Sequence, residues 1–241
     1  MIRQLINGFA DIIYPKTCLA CKNKLKSKAA DIFVCTGCLN SIKRNLPPFC
    51  SSCGRHLEKR NFSKNICPAC QKTGLHFDRA YSPCVYTGVI KELIHEFKYK
   101  NKDYLGAALS RPMVEFAKEY DIPMDFLDFI IPMPLHKTKL REREFNQAEI
   151  LSGYIAGEFK KPLLSDILVR HRNTKTQTDL ETGERFANVK GSFTVTKDSG
   201  IKGKNLLLVD DVLTTGATSS EAALSLKNAG ANVVFVLTLA N

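Results

Sequence analysis

Apolar residues recur along this chain in two rhythms. At Ile2, Leu5, Ile6, Phe9, Ile12 and Ile13 the spacing is that of one helix face and predicts a short N-terminal helix docked on the protein. The same rhythm returns at Val89, Ile90, Leu93, Ile94 and Phe97 and predicts a helix over "GVIKELIHEFKYK". Lys98 stands near its end, where a cation suits the helix dipole. "DYLGAALSRPMVEFAKEY" predicts a second helix, kinked or split at Pro112, and "NQAEILSGYIAGEF" a third. The other rhythm belongs to strands. "RAYSPCVYTG" alternates, and "DFIIPMPLH" is a short apolar strand ended by Pro132 and Pro134. "NLLLVDD" and "NVVFVLTLA" are continuous apolar runs, as expected of strands buried on both faces of a parallel sheet. Between them, "TSSEAALSLKNAG" opens on hydroxyl residues and has Gly230 just past its end, which predicts a helix. Strand, helix and strand form a β-α-β unit with a right-handed crossover, so the fold class is α/β. The stretch "RHRNTKTQTDLETGERFANVKGSF", Arg170 to Phe193, is polar and poorly periodic and predicts a long loop, suited to act as a mobile cover over a site.

Composition adds limits. With 241 residues and 44% apolar content the chain can fill one large domain, or a medium one plus a small one. No apolar run is long enough to span a bilayer and no signal-peptide pattern opens the chain, so a cytoplasmic protein without an integral membrane segment is expected. The net charge of +11 is uneven. Residues 1–85 hold 14 Lys and Arg against 4 Asp and Glu, whereas residues 86–241 hold 21 against 20. The first third therefore carries nearly all the excess; such a segment attracts polyanions, usually nucleic acid, or serves as a solvated, lysine-rich surface.

That basic third also holds eight of the nine cysteines, in four C-x-x-C pairs: Cys18/Cys21, Cys35/Cys38, Cys50/Cys53 and Cys67/Cys70. Thirteen residues separate Cys21 from Cys35, and thirteen again separate Cys53 from Cys67. Each C-x-x-C turn aims two thiolates at one point, and two turns complete a tetrahedral sulfur shell suited to structural zinc. The repeated spacing predicts two zinc ribbons in tandem. The simplest ligation joins the first two pairs at one zinc and the last two at another; interleaved ligation satisfies the same spacing. Each zinc with its four thiolates carries about −2, which leaves this segment basic. His56 and His76 lie nearby as surface histidines, and Cys84, with no partner at motif distance, is expected in the core. Phe49, Phe62 and Tyr81 are candidates to stack on bases or to pack around the zinc knuckles. The predicted organisation is a zinc-ribbon segment over 1–78 and an α/β domain over 79–241.

The densest chemistry lies in "LLLVDDVLTTGAT", residues 206–218. Ligands of parallel sheets bind beyond the carboxyl ends of the strands, where Asp210 and Asp211 fall. The small residues of "TTGAT" let backbone N–H groups approach a ligand, and the helix N-terminus adds positive potential, a combination that favours phosphate. Two carboxylates would repel a bare phosphate, but they suit sugar hydroxyls or a divalent metal. A sugar phosphate satisfies both halves. No G-x-x-x-x-G-K-[ST] loop accompanies the acids, which excludes a Walker site, and no G-x-G-x-x-G is present for a dinucleotide.

This stretch resembles the phosphoribosyl-pyrophosphate signature of type I phosphoribosyltransferases. With four C-x-x-C pairs before it, "HEFKYK", "PLHKTKLREREFNQAEIL" and "TQTDLETGERFANVKGSF", the whole chain resembles the ComF family of competence-associated proteins. The resemblance implies a type I phosphoribosyltransferase-like parallel sheet with flanking helices, preceded by a small four-cysteine zinc-ribbon segment. It implies that Asp210 and Asp211 bind the ribose hydroxyls with Mg²⁺ near, that Thr214, Thr215, Gly216, Ala217 and Thr218 cradle the 5′-phosphate, and that Val212 and Leu213 belong to the same phosphoribosyl-pyrophosphate site. Met133, Pro134 and Leu135 would be the loop under the pyrophosphate, with Arg143 beside it as a catalytic cation. Gln177 and Arg185 would lie in the cover. The family usually has glycine before F-N-Q, where this chain has Glu144. The implied partners are phosphoribosyl pyrophosphate, single-stranded DNA and other DNA-uptake proteins, with Lys43, Arg44, Lys98, Arg141 and Arg143 as candidate nucleic-acid contacts. The implied function is DNA uptake in natural transformation, or DNA repair; the alternative is an active phosphoribosyltransferase acting on an unidentified acceptor.

Overall fold

The computed structural model describes residues 17–25, 33–58, 65–99, 102–173, 182–196 and 200–241. The N-terminal helix expectation, Phe62 and Gln177 lie outside these. In chain order the elements are α1 (Thr36–Asn40), α2 (Pro68–Lys72), β1 (Arg79–Tyr81), α3 (Gly88–Tyr99), α4 (Leu105–Glu119), β2 (Phe129–Pro132), α5 (Lys137–Arg143), α6 (Gln147–Phe159), β3 (Leu168–Arg170), α7 (Thr182–Val189), β4 (Phe193–Val195), β5 (Asn205–Val212), α8 (Ala217–Asn228) and β6 (Val233–Ala240). Four strands form one parallel sheet in the order β1-β6-β5-β2, while β3 and β4 make a separate antiparallel pair.

Strand β5 shows why its sequence is a continuous apolar run. Its side chains alternate between faces, and both faces are covered. Leu207 and Val209 enter a core with Leu93, Phe97, Met113, Leu151 and Ile155 from α3, α4 and α6. Leu206 and Leu208 enter the opposite core with Ala222, Ala223 and Leu226 of α8. Each fully buried leucine contributes about 2 kcal/mol of transfer free energy.

The cysteine segment is built into this sandwich. Cys18, Val34 and Cys38 belong to the α3/α4 core, whereas Cys50, Cys53, Leu57, Cys67 and Phe77 belong to the α8 core. Asn45, 1% exposed, ties the third cysteine pair, Cys50/Cys53, to the end of β1: its amide donates to the carbonyls of Gly54 and Ser82 and its oxygen accepts from the His56 N–H. Gly54, at φ +69°, has no space for a side chain, because a Cβ there would sit 2.3 Å from the Ala80 carbonyl oxygen.

Two expectations need correction. Helix α4 is not split: it runs from Leu105 to Glu119 with Pro112 inside it. The carbonyl that the proline ring leaves without a donor belongs to Ala108, which is exposed, so water can serve it. The polar stretch from Arg170 is also more ordered than its periodicity implies. Its described residues include α7, and β3 and β4 bracket it in their own small sheet. Phe49 and Tyr81 are spoken for by packing: Phe49 lies 5.1 Å from Tyr120 and Tyr81 5.8 Å from Phe235. Cys84 is in the core as expected, its thiol pushed up to about 12 by burial. Among the described residues no helix is long and apolar enough to cross a membrane.

Candidate functional site

The eight paired cysteines gather into two clusters, Cys18/Cys21/Cys35/Cys38 and Cys50/Cys53/Cys67/Cys70, with each cluster's sulfurs within 4.8 Å of one another. The ligation is therefore sequential, not interleaved. A tetrahedral zinc with Zn–S of about 2.3 Å places its sulfurs about 3.8 Å apart. Cys21 and Cys35 are 3.8 Å apart at sulfur, and Cys53 and Cys67 3.7 Å. The clusters also share their internal bonding: the Cys35 N–H donates to Cys18 Sγ, and the Cys67 N–H to Cys50 Sγ. Burial pushes the Cys18 thiol up, but hydrogen bonds from the backbone of Cys21, Cys35 and Ala20 outweigh it and bring it to about 6. Cys38 is pushed up to about 12, chiefly by burial. Four adjacent thiolates do not coexist without a divalent cation, and the two sets fit structural zinc with every ligand position filled.

The second site forms where β5 ends. Asp210 and Asp211 are its last acidic residues, and the Asp211 N–H donates to Asp210 Oδ1 at 2.8 Å. Beyond them the chain turns through Thr214, Thr215 and Gly216 into α8. Gly216 stands at the N-cap with φ +80°, and Thr215 Oγ1 accepts from the Ala217 N–H at 3.4 Å. The N-terminus of α8 adds positive potential at this turn. Val212, Leu213, Thr214, Gly216, Ala217, Thr218 and Ser219 line a small concavity at this turn. Met133, Pro134 and Leu135 follow β2 directly, and the Met133 N–H donates to the Val209 carbonyl at 2.8 Å, so they lie beside the acids. Asn146 fixes that segment from α6 by donating to the Met133 carbonyl.

Cations converge here. The Lys98 ammonium, at the end of α3, donates to Asp211 Oδ1 at 2.7 Å, and the two side chains are 19% and 10% exposed. Burial works against the Lys98 charge, but Asp211, and then Asp210, outweigh it and hold the ammonium above the ordinary lysine value. Asp210 is pushed up to about 7, first by burial and then by the Asp211 charge, with Lys98 and Arg170 opposing. Arg143 ends α5, donates to Gln147 Oε1 at 3.1 Å, and lies 5.0 Å over the Tyr99 ring. Lys139, four residues earlier on the same helix, is pushed down by burial and then by Arg170 and Arg143. Arg170, from β3, lies over Phe193; burial lowers it, Asp210 supports its charge, and Arg143 opposes it. Lys98, Lys139, Arg143 and Arg170 therefore form one cationic group against two acids.

The remaining sequence candidates are more scattered. Arg185 lies on α7. Lys43 and Arg141 are exposed, and Arg44 pairs with Glu119. Lys98 faces the acid pair instead of open surface. Lys139 and Arg170 are the residues that sequence reasoning missed. The i, i+4 pairing of Lys139 with Arg143 on a short helix was the available signal for the first. Nothing in sequence marks Arg170, because β3 has only three residues.

A double zinc ribbon domain matches residues 9–71, and a phosphoribosyl transferase domain matches residues 146–241. Competence protein F of Haemophilus influenzae is 30% identical over 227 residues, covering 92% of this chain and 96% of that protein. This chain belongs to the ComF family. A second ComF-family relative, DNA utilization protein YhgH of Salmonella typhimurium, is 28% identical over 201 residues, covering 76% of this chain and 86% of its own. Among solved structures, a purine phosphoribosyltransferase from Pyrococcus horikoshii overlaps 55% of this chain and 71% of its own, with 19% identity and a TM-score of 0.34. The Glu144 backbone is left-handed, at φ +63°, a conformation that suits glycine. The Glu144 side chain lines an outer groove with Leu140, Phe145 and Tyr154, whereas Arg143 turns to Tyr99 and Gln147.

Proposed function

We propose that this ComF-family chain acts in DNA uptake, in the cytoplasm, binding single-stranded DNA through its basic ribbon segment and phosphoribosyl pyrophosphate with Mg²⁺ at the end of β5. The observation that carries the ligand half is the position of Asp210 and Asp211 between the glycine-containing turn that opens α8 and a group of four cations. In this reading the turn from Val212 to Thr218 takes the 5′-phosphate through backbone N–H groups. Asp210 and Asp211 accept from the ribose hydroxyls. Arg143, Arg170 and Lys139 neutralise the pyrophosphate, with Met133 to Leu135 beneath it. Gln147 supports an anion there: its side chain is buried, and its Nε2 donates to no described residue. Mg²⁺ bound with the pyrophosphate would offset the repulsion between that group and the acid pair.

The DNA half draws on the relatives, which are named for competence and DNA utilization, and on the basic first third of the chain. Lys43 and Arg141 are exposed cations suited to phosphate contact. Other DNA-uptake proteins would be partners by the same reading. A phosphoribosyl-transfer activity on an unidentified acceptor is favoured by one observation, the presence of both acids beside Gly216 at the N-cap of α8. In that case the cations would stabilise the leaving pyrophosphate as the ribose C1–O bond breaks.

A competition titration separates the halves of the ligand site. Ribose 5-phosphate and pyrophosphate should each displace labelled phosphoribosyl pyrophosphate, more weakly than the intact compound does. Arg170→Ala should lose roughly tenfold toward pyrophosphate while leaving ribose 5-phosphate within about twofold. Displacement by neither fragment would count against the assignment.

A further inference from the structure

Each ribbon anchors one cation from just past its first cysteine pair on the α/β domain, and the second ribbon's cation reaches the ligand site. Lys22 follows Cys21 and reaches Glu96 on α3 at 2.9 Å, and α3 carries Lys98 to Asp211. Arg55 follows Cys53 and Gly54, and its Nη2 donates to the Thr214 carbonyl at 3.0 Å, inside the turn before α8. The second contact is the more direct, and several neighbours support it. The Ala80 N–H donates to the Ser52 carbonyl at 2.7 Å, which fixes the knuckle on β1. Gly54 lies against the Ala80 carbonyl with no room for a Cβ, so the direction in which Arg55 leaves the knuckle is set by backbone contact. After the last cysteine, the His76 N–H donates to Ser220 Oγ at 3.0 Å, and Leu75 and Phe77 pack where a Gly216 Cβ would stand, at 3.3 and 3.6 Å.

We infer that Arg55 is a positioning residue for the phosphate turn, and that the second zinc ribbon is thereby part of the ligand site. In a trans peptide the carbonyl and the following N–H point in opposite directions. Holding the Thr214 oxygen toward Arg55 turns the Thr215 N–H away from the ribbon and makes it available to an anion. Without that bond the peptide is free to rotate and present its oxygen to the phosphate, which repels it. Arg55 itself need not touch the ligand. The inference rests on the reading of the turn as a phosphate site, but its structural half does not.

Hydrogen–deuterium exchange on the zinc-loaded full chain tests that half without ligand. In Arg55→Ala the amides of residues 214–218 should exchange about fivefold faster, the amount a charge-assisted hydrogen bond of moderate strength protects. Zinc content should stay at that of the wild type, and Arg55→Lys, which keeps a donor, should restore most of the protection. Calorimetry with phosphoribosyl pyrophosphate and Mg²⁺ then reads the functional half, with Arg55→Ala expected to bind about fivefold more weakly and Arg55→Lys within about twofold of wild type. Unchanged exchange at 214–218 in Arg55→Ala overturns the inference whatever the ligand does. Faster exchange with undiminished affinity in a wild type that binds also overturns it, because the turn would then not need its brace. Wild-type protein that binds no phosphoribosyl pyrophosphate contradicts the proposed function instead, and the exchange result still decides whether Arg55 holds the turn.

Discussion

Glu144 holds a left-handed backbone position that only glycine adopts without strain, and it closes the short helix α5 that carries Lys139 and Arg143. Replacing it with glycine should raise stability by about 1 kcal/mol, read as a higher midpoint in urea with an unchanged slope. Lys98 and Asp211 are a different case, a nearly buried ion pair at 2.7 Å. Lys98→Met strands the Asp211 charge and should destabilise by roughly 3 kcal/mol, while Lys98→Met with Asp211→Asn should recover much of the loss in a double-mutant cycle. Asp210 gives a pH signature. Its carboxyl is pushed up to about 7 in the folded chain, chiefly by burial and then by Asp211. Between the ordinary aspartate value of about 4 and that value, the folded state keeps a proton that the unfolded chain has released. Stability should therefore fall as pH rises through this window, and Asp210→Asn should flatten the fall in thermal midpoints measured from pH 5.5 to 8. At this scale the acids and the turn are legible in sequence because strand end, carboxylates and turn are contiguous. Lys139 and Arg170 are not, because folding brings them from separate elements to the same charges.

At the scale of elements, the strands and the long helices follow from apolar rhythm, since a two-sided core dictates both the continuous runs of β5 and β6 and the stripe on α3. The rhythm fails for α5 and α7, whose short amphipathic turns carry too few apolar residues to register, and for Pro112, whose freed carbonyl faces solvent. The ribbons are legible as cysteine spacing, but not their placement on opposite cores. That placement makes zinc matter beyond the ribbons. Titrating the thiols with a mercurial reagent should release two zinc ions per chain, and Cys67→Ser should release one. Gly54→Ala should destabilise by about 2 kcal/mol or more, because a Cβ 2.3 Å from the Ala80 oxygen forces the second ribbon off β1.

For the whole molecule, the excess charge lies in the first third while the acid pair lies at the far end of the sequence, and the fold brings the second ribbon to the turn beside that pair through Arg55–Thr214. A DNA strand held by the ribbons would then pass close to the phosphate turn. Affinity for single-stranded DNA, read by fluorescence anisotropy, should fall at least roughly tenfold between 50 and 200 mM salt, as release of counterions from several phosphates requires. The most direct test of the ligand site is calorimetric titration of the zinc-loaded protein with phosphoribosyl pyrophosphate and Mg²⁺, beside Asp210→Asn/Asp211→Asn. Saturable binding that the double variant loses is the expected result. Equal binding by both proteins, or by neither, would contradict the assignment of the carboxylates to a phosphorylated ribose.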